Sequence, residues 1–376
     1  SLFAAVPAAE AEGSFSGLTR FMGMIQTTLV YGVFYALLAL GFALIFGAAR
    51  VVNLYHGTFY MLGAYLFATF ARPSQFNFPF SAFLFFQIVI IAGMIYTGYK
   101  KFSEKESKNK PVFTKLRFPV LMLIFAEVPL LLLFLRVDLP IAGNLNLFIS
   151  LIFTCGLIGF LSMLLNKAAI QPVKKESVAV LIVTIALAFF TERLIDAIYG
   201  SSNIPVPSFI ETSTVQLIFD ATIESKRLLM FFVGIFLIAG VWLLMNKTKT
   251  GKGVLAVAQD SEAATLMGIN TQFVFNFAIM LSAILAATAG IFTTPFLGDA
   301  SPAIWLGVVI KAFAVVILGG LGSIFGSVLA AFILAFVEKF TRFYISSSLE
   351  EIVFLVIIII ILLIRPQGLF GKKGRF

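Results

Sequence analysis

The sequence predicts an all-α fold: a polytopic transmembrane helical bundle of about 11 membrane segments, some short or broken, with the N-terminus outside and the C-terminus inside. Three observations carry this expectation. Hydrophobic residues make up 60% of the 376-residue chain and charged residues 12%, with a mean hydropathy of +1.04; a soluble domain is roughly 25% charged. Apolar runs near the ~20 residues that a spanning helix needs recur along the whole chain. Finally, the cations that give the net charge of +9 collect in alternate loops, as the positive-inside rule requires. The composition also excludes chemistry. One His and one Cys, Cys155, rule out an intramolecular disulfide and a zinc site built on two cysteines, and argue against a His-built metal centre. The basic balance fits loops beside a membrane better than a nucleic-acid grip.

The elements follow in order. Residues 1–23 are expected outside. Their opening stretch, Ser1 to Ala11, reads either as the small-residue end of a signal peptide or as an Ala-rich tail. Runs at 24–47 and 56–71 come next, with Arg50 between them on the inside. The second run is short enough to be broken or partly re-entrant, and 178–198 shares that possibility. At the handover between the first two, Asn53 and His56 read either as path-lining hydrogen-bonders or as helix caps, and the cap is preferred. Gly57 and Gly63 stand about one to two turns apart and suit close helix packing.

Runs at 78–99 and 118–136 flank the Lys-rich stretch 100–117, which reads as a solvated cytoplasmic loop. Runs at 147–166 and 178–198 bracket a second basic loop, 167–177. The second of these runs holds Glu192, Arg193 and Asp196, of which some are expected to pair between helices. Residues 199–226 form a polar external loop with Pro205 and Pro207, followed by a span at 228–246. Spans at 273–297, 303–320, 324–345 and 350–364 complete the chain. With every segment crossing once, 18 of the 27 Lys and Arg residues fall inside, Lys339 and Arg342 being counted outside. Lys311 sits within an apolar run, where a charge normally faces a cavity or a partner. Glu338, a substrate carboxylate and snorkelling to the membrane edge are its possible fates, and structural pairing ranks first. The Gly319-Gly320-Leu321-Gly322-Ser323-Ile324-Phe325-Gly326 cluster either places Gly322 and Gly326 on one packing face or makes the turn between two spans.

The loop 247–272 carries the most information. Asp260 or Ser261 can cap a helix, Glu262 suits its positive dipole end, and Gly268 can close it in the left-handed conformation with Ile269 as the apolar follower. The expected product is a helix of about two turns with small Ala263 and Ala264 on its surface, held in a cytoplasmic loop. It reads either as a plug for a partner's groove or as a helix lying on the membrane. No GxxxxGK[ST] phosphate loop occurs in the chain. No convergent nucleophile or acid–base set occurs either, which weighs against a polytopic membrane enzyme; an ion-coupled carrier is the remaining alternative class. Catalytic residues, cofactors and metals are not expected.

Four ordered blocks resemble the permease subunits of branched-chain amino acid ABC importers, and in particular the first of the two sister permeases of such systems. The first runs from Tyr31-Gly32, Tyr35-Ala36-Leu37 and Gly41 to Val52-Asn53-Leu54-Tyr55-His56-Gly57 and Met61-Leu62-Gly63-Ala64-Tyr65. The second is Gln171-Pro172-Val173-Lys174 with Thr184-Ile185-Ala186-Leu187. The third, Gly251, Asp260, Ala263-Ala264 and Gly268-Ile269-Asn270, is similar to the family's coupling loop. The fourth is Lys311-Ala312-Phe313 with Leu318-Gly319-Gly320-Leu321-Gly322-Ser323, ending in Arg365-Pro366-Gln367-Gly368-Leu369-Phe370-Gly371.

The resemblance implies a permease domain over 24–376 in the plasma (inner) membrane of a prokaryote, interrupted by a two-helix insertion at about 78–136 that the family pattern lacks. It implies a sister permease, two cytoplasmic ATPases, an extracytoplasmic binding protein and membrane lipid as partners. It implies contact with the ATPases through Gly251, Asp260, Glu262, Ala263, Ala264, Gly268 and Ile269. Asn53, His56, Gly57, Thr184 and Lys311 are the candidates for the translocation path or its gating, and Gly63, Gly319, Gly320, Gly322 and Gly326 for helix packing. Branched-chain or similar apolar amino acids are the implied substrates, with urea and short amides the alternative.

Overall fold

The computed structural model describes residues 17–72, 144–174, 176–211, 213–216, 222–365 and 367–370. Residues 1–16 of the expected N-terminal segment 1–23, the runs 78–99 and 118–136 and the Lys-rich loop between them lie outside the described residues, while residues 17–23 belong to the first helix. The described residues are 82% helical, and the fold is an all-α polytopic membrane bundle. Its helices are α1 (Gly17–Ala49), α2 (His56–Ala71), α3 (Asn144–Leu165), α4 (Ser177–Tyr199), α5 (Ser225–Lys247), α6 (Lys249–Gln259), α7 (Ser261–Leu266), α8 (Thr271–Leu297), α9 (Ile304–Gly319), α10 (Ile324–Tyr344) and α11 (Glu350–Ile364).

Six of these are long and apolar enough to cross a membrane: α1, α3, α4, α5, α8 and α10. At 16, 16 and 15 residues, α2, α9 and α11 reach only ~24 Å, short of the ~30 Å hydrocarbon layer. The shortness of α2 is explained by its place. All 16 of its residues are buried, so it is solvated by protein and need not meet lipid at either end. Neither α2 nor α4 is broken; both are continuous helices.

The centre of the bundle is α1, which packs along α10, α8, α5, α9 and α6. Backbones approach closely at several buried glycines. A Cβ on Gly63 would lie 2.5 Å from the Ala287 carbonyl oxygen on α8, and one on Gly57 equally near that of Trp305 on α9. In a bilayer, where apolar burial drives helix association weakly, such van der Waals approach is the main cohesive device. The peripheral helices read differently. On α4 only Val180, Thr184, Ala188, Thr191 and Ile195 are buried, a stripe at spacings of three and four, while Val178, Ile182, Phe189 and Phe190 face outward.

Local irregularities have local causes. α3 continues through a π-turn at Asn166–Ile170 into Gln171–Val173. Pro172 has no N–H to give to the carbonyl of Ala168 and its ring would crowd that carbonyl, so the helix widens ahead of it. The segment expected as a polar external loop is partly folded: Thr214–Gln216 and Thr222–Glu224 form an antiparallel hairpin, with Thr214 opposite Glu224. Ile204 bridges to Ala300, and the buried Phe209 stacks on Phe67 of α2 and Phe292 of α8 at 5.5 and 5.2 Å.

Candidate functional site

The loop 247–272 builds its own helix from local signals. Thr248 caps α6 by accepting from the Gly251 N–H at 3.0 Å. Asp260 lies in extended backbone between α6 and α7, and its carboxylate accepts from the N–H groups of Glu262 and Ala263 at 2.9 and 3.0 Å. That satisfies two of the donors that a helix start leaves unpaired. At the far end Gly268 takes φ +81°, and the Ile269 N–H returns to the Ala264 carbonyl at 3.0 Å. This is the left-handed stop with an apolar follower.

One detail differs from expectation. Ala264 is buried rather than on the surface, with Ala263 exposed beside it. Two large apolar side chains stand out at the C-terminal end of α7 instead, beside the exposed Ser261, Glu262 and Thr265: Leu266 is 88% exposed, and Met267, the C-cap residue, 82%. Gly251 is also inside. A Cβ there would meet the Leu244 carbonyl, so this glycine lets α6 fold back tightly on the end of α5. A cavity of about 340 Å³ lies beside α7, lined by Ala48, Arg50 and Lys174 on one side and by Gln259, Asp260 and Glu262 on the other. Partial burial pulls the Lys174 ammonium below its usual range, and it sits 4.4 Å from the Phe275 ring centroid.

The handover between α1 and α2 forms a second cluster. Asn53 is buried, and its side-chain oxygen accepts from the Tyr55 N–H at 3.0 Å while its carbonyl accepts from the His56 N–H. It therefore forms the turn and does not make the helix cap preferred on sequence: α1 ends at Ala49, and the N-cap position of α2 is Tyr55, with no side-chain cap bond. His56 does something else. Its Nε2 lies 3.0 Å from the Leu38 carbonyl in mid-α1, and its Nδ1 3.0 Å from the Ser282 hydroxyl on α8. A carbonyl only accepts, so Nε2 carries the proton and Nδ1 accepts from Ser282. The imidazole joins three helices, wedged edge-on against Phe42, with Gly41 making the room that its ring occupies. Thr184 is buried on α4 and accepts from the Leu54 N–H at 3.3 Å, and Tyr55 pairs with Thr191 at 2.9 Å, so α4 is fastened to this same turn.

The third cluster surrounds Lys311. Its ammonium donates to Glu338 at 2.9 Å and to the Tyr35 hydroxyl at 3.1 Å, and that hydroxyl donates to the other Glu338 oxygen at 2.6 Å. Lys339 donates to Glu338 at 3.3 Å and to Glu350, and Arg342 approaches Glu350 at 3.7 Å. Lys339 also lies 3.6 Å from the Tyr31 ring centroid. Lys339, counted among external cations on sequence, is 1% exposed and belongs to the interior. Two ammonium groups facing one shared carboxylate, with a second carboxylate and an aromatic wall behind, is how unlike charges persist in a low-dielectric interior. Among the Glu192 group, Glu192 accepts from the Trp305 indole at 2.7 Å across to α9, while Arg193 and Asp196 pair within α4 at 3.5 Å.

The glycine cluster serves both sequence readings, divided differently. Gly320 and Gly322 take φ +97° and +85° and make the turn between α9 and α10. Gly322 therefore shares no helix face with Gly326. The packed pair is Gly319 with Gly326, where a Cβ on Gly319 would lie 2.5 Å from the Gly326 backbone. The C-terminal segment returns here: the Leu369 N–H donates to the Leu318 carbonyl at 2.7 Å, and the Phe370 side chain closes on Gly326.

The three clusters do not merge into one pocket; α1 threads all of them through Arg50, Leu38 and Tyr35. Sequence reasoning gave no site role to Ser282, Tyr35, Lys339 or Glu350, although Tyr35 stood in the first resembling block and Lys339 among the counted cations. Glu350 and Lys339 carried a usable signal, a charge beside or within an apolar run, while Ser282 and Tyr35 carried none of that kind.

A family described as branched-chain amino acid transport system / permease component matches residues 24–362. The chain is 24% identical over 356 residues to the high-affinity branched-chain amino acid transport system permease protein LivH of Escherichia coli K12, covering 94% of this chain and 96% of that one. It is 22% identical to BraD of Pseudomonas aeruginosa PAO1, a permease protein of the same description, with 94% and 96% covered. A probable LivH of Methanocaldococcus jannaschii is 28% identical over 57% of this chain and 71% of that one. No solved structure matches the chain.

Proposed function

Because the chain belongs to the family of permease components of branched-chain amino acid transport systems, we propose that it is the membrane-spanning subunit of an ABC importer for branched-chain or similar apolar amino acids. The observation that carries the proposal beyond the family is α7. A six-residue helix capped at both ends, held between two spans and showing Leu266 and Met267 almost fully exposed, is made for a groove in another protein. The groove belongs to a cytoplasmic ATPase. Two ATPases, a sister permease and an extracytoplasmic binding protein complete the importer, which resides in a prokaryotic inner membrane. ATP closure of the ATPases pushes α7, and the bundle shifts between outward- and inward-open populations because ATP binds one of them better. His56, Asn53 and Thr184 hold the α1–α2–α4–α8 junction that such a shift must rearrange, and Lys311 with Glu338 holds α9 to α10.

The test is uptake of labelled leucine into proteoliposomes holding the full chain with its candidate ATPases, sister permease and binding protein. Uptake is expected to need ATP and to persist when proton and sodium gradients are collapsed. Uptake that follows a gradient without ATP overturns the proposal, and competition by urea instead of leucine moves the substrate to short amides.

A further inference from the structure

The end of α1 departs from ordinary backbone. Arg50 takes φ +53°, the only non-glycine residue with positive φ among those described. Its N–H still closes the last turn of α1, donating to the Phe46 carbonyl at 2.8 Å. Glycine occupies this conformation freely, whereas a side chain there is strained. A strained residue persists where its surroundings over-determine it, and such residues gather at functional joints.

What the strained position gains is reach. The Arg50 guanidinium donates to the Gln259 carbonyl at 3.0 Å. Gln259 is the last residue of α6, so its carbonyl is one of those a helix end leaves unpaired, and a cation there also suits the negative end of the helix dipole. The next residue is Asp260, whose side chain caps α7. Arg50 is thus fastened to the joint between α6 and α7. Alongside, Gly47 packs against Ala258, where a Cβ would come within 3.6 Å of the alanine methyl. Beside this joint lies the cavity of about 340 Å³, whose lining includes Ala48, Ala49 and Lys174 together with Asp260, Ser261 and Glu262. α6 itself packs along α1, and the Arg50–Gln259 bond adds a directed tie from the end of α1 to the joint at which α7 begins.

Resting on the importer reading, we propose that Arg50 is the positioning residue that transmits α7 displacement into the bundle. α1 then carries it to the Leu38–His56–Ser282 and Tyr35–Lys311–Glu338 clusters, which it bonds directly. Arg50 touches no substrate; it acts by holding α1 to the joint.

The experiment measures ATP hydrolysis and leucine uptake together in proteoliposomes of the full complex, and reads uptake per ATP for each folded, ATPase-bound complex. Arg50→Gly removes the donor and relieves the strain, so its thermal midpoint is expected to match or exceed that of the wild type. Its uptake per ATP is expected to fall roughly tenfold, a coupling loss of ordinary allosteric size. Arg50→Lys keeps a cationic donor on the same turn and is expected to retain most of the coupling. A wild-type ratio for Arg50→Gly, or an Arg50→Lys variant as defective as Arg50→Gly, overturns the proposal while the importer reading stands. A wild-type complex with no ATP-driven uptake overturns the importer reading itself and takes this proposal with it.

Discussion

At the scale of single residues, the buried charges dominate. Glu338 accepts from Lys311, Lys339 and Tyr35, so its removal breaks three contacts of the cluster at once. Removing one partner of a buried pair costs about 3–5 kcal/mol, because the other charge stays desolvated. Glu338→Leu is therefore expected to destabilise the detergent-solubilised protein by about that much. Lys311→Leu should cost clearly less, since Glu338 keeps Lys339 and Tyr35. Thermal unfolding of the two variants side by side checks the order; equal losses would show that Lys339 does not support Glu338. His56 offers a second ranking. Ser282→Ala removes one acceptor–donor pair, worth roughly 1 kcal/mol. His56→Ala removes two pairs and empties a volume packed against Phe42, so its loss should be larger in the same assay.

At the scale of elements, glycine marks where two helices touch and where one touches nothing. A Cβ on Gly63 would meet the Ala287 backbone of α8 at 2.5 Å, and backbone cannot rotate aside. Gly63→Ala is expected to cost about 1–3 kcal/mol by overpacking. Gly240 on α5 has nothing within 4 Å of such a Cβ, and Gly240→Ala should instead stabilise by about 0.5–1 kcal/mol, the ordinary glycine penalty of a helix interior. Opposite signs for the same substitution, read in one unfolding experiment, test the α2–α8 contact. Legibility divides at this scale too. The α7 cap, its left-handed stop and its apolar follower were readable because each involves residues within a few positions of one another. The burial of Ala264 and the exposure of Leu266 and Met267 were not, because they depend on how α7 leans on the bundle. Gly322 and Gly326 are four apart and looked like a packing pair, but whether a helix or a turn covers them is settled by where Ser323 caps α10. His56 was legible as a special residue and not as a cross-link, since Leu38 and Ser282 lie 18 and 226 positions away.

At the scale of the whole molecule, composition pointed to the membrane and apolar runs to most helices, yet length alone misjudged which of them meet lipid. α2, α9 and α11 are apolar enough to look like spans, but burial by neighbours lets two of them be short. What the charge bias predicts is sidedness, and the single native Cys makes that measurable. Cys155 is replaced by Ala, and single cysteines are then placed at Ser202, exposed in the segment expected outside, and at Met267, exposed on α7 in the loop expected inside. A membrane-impermeant maleimide added to intact cells is expected to label Ser202→Cys and to spare Met267→Cys until the membrane is opened. The reverse pattern would place α7 outside, away from any cytoplasmic ATPase, and would remove the importer mechanism along with the orientation. Labelling of both sites in intact cells would mean that the bundle does not hold the two loops on opposite faces, against the confinement of basic loops to one side that the positive-inside bias implies.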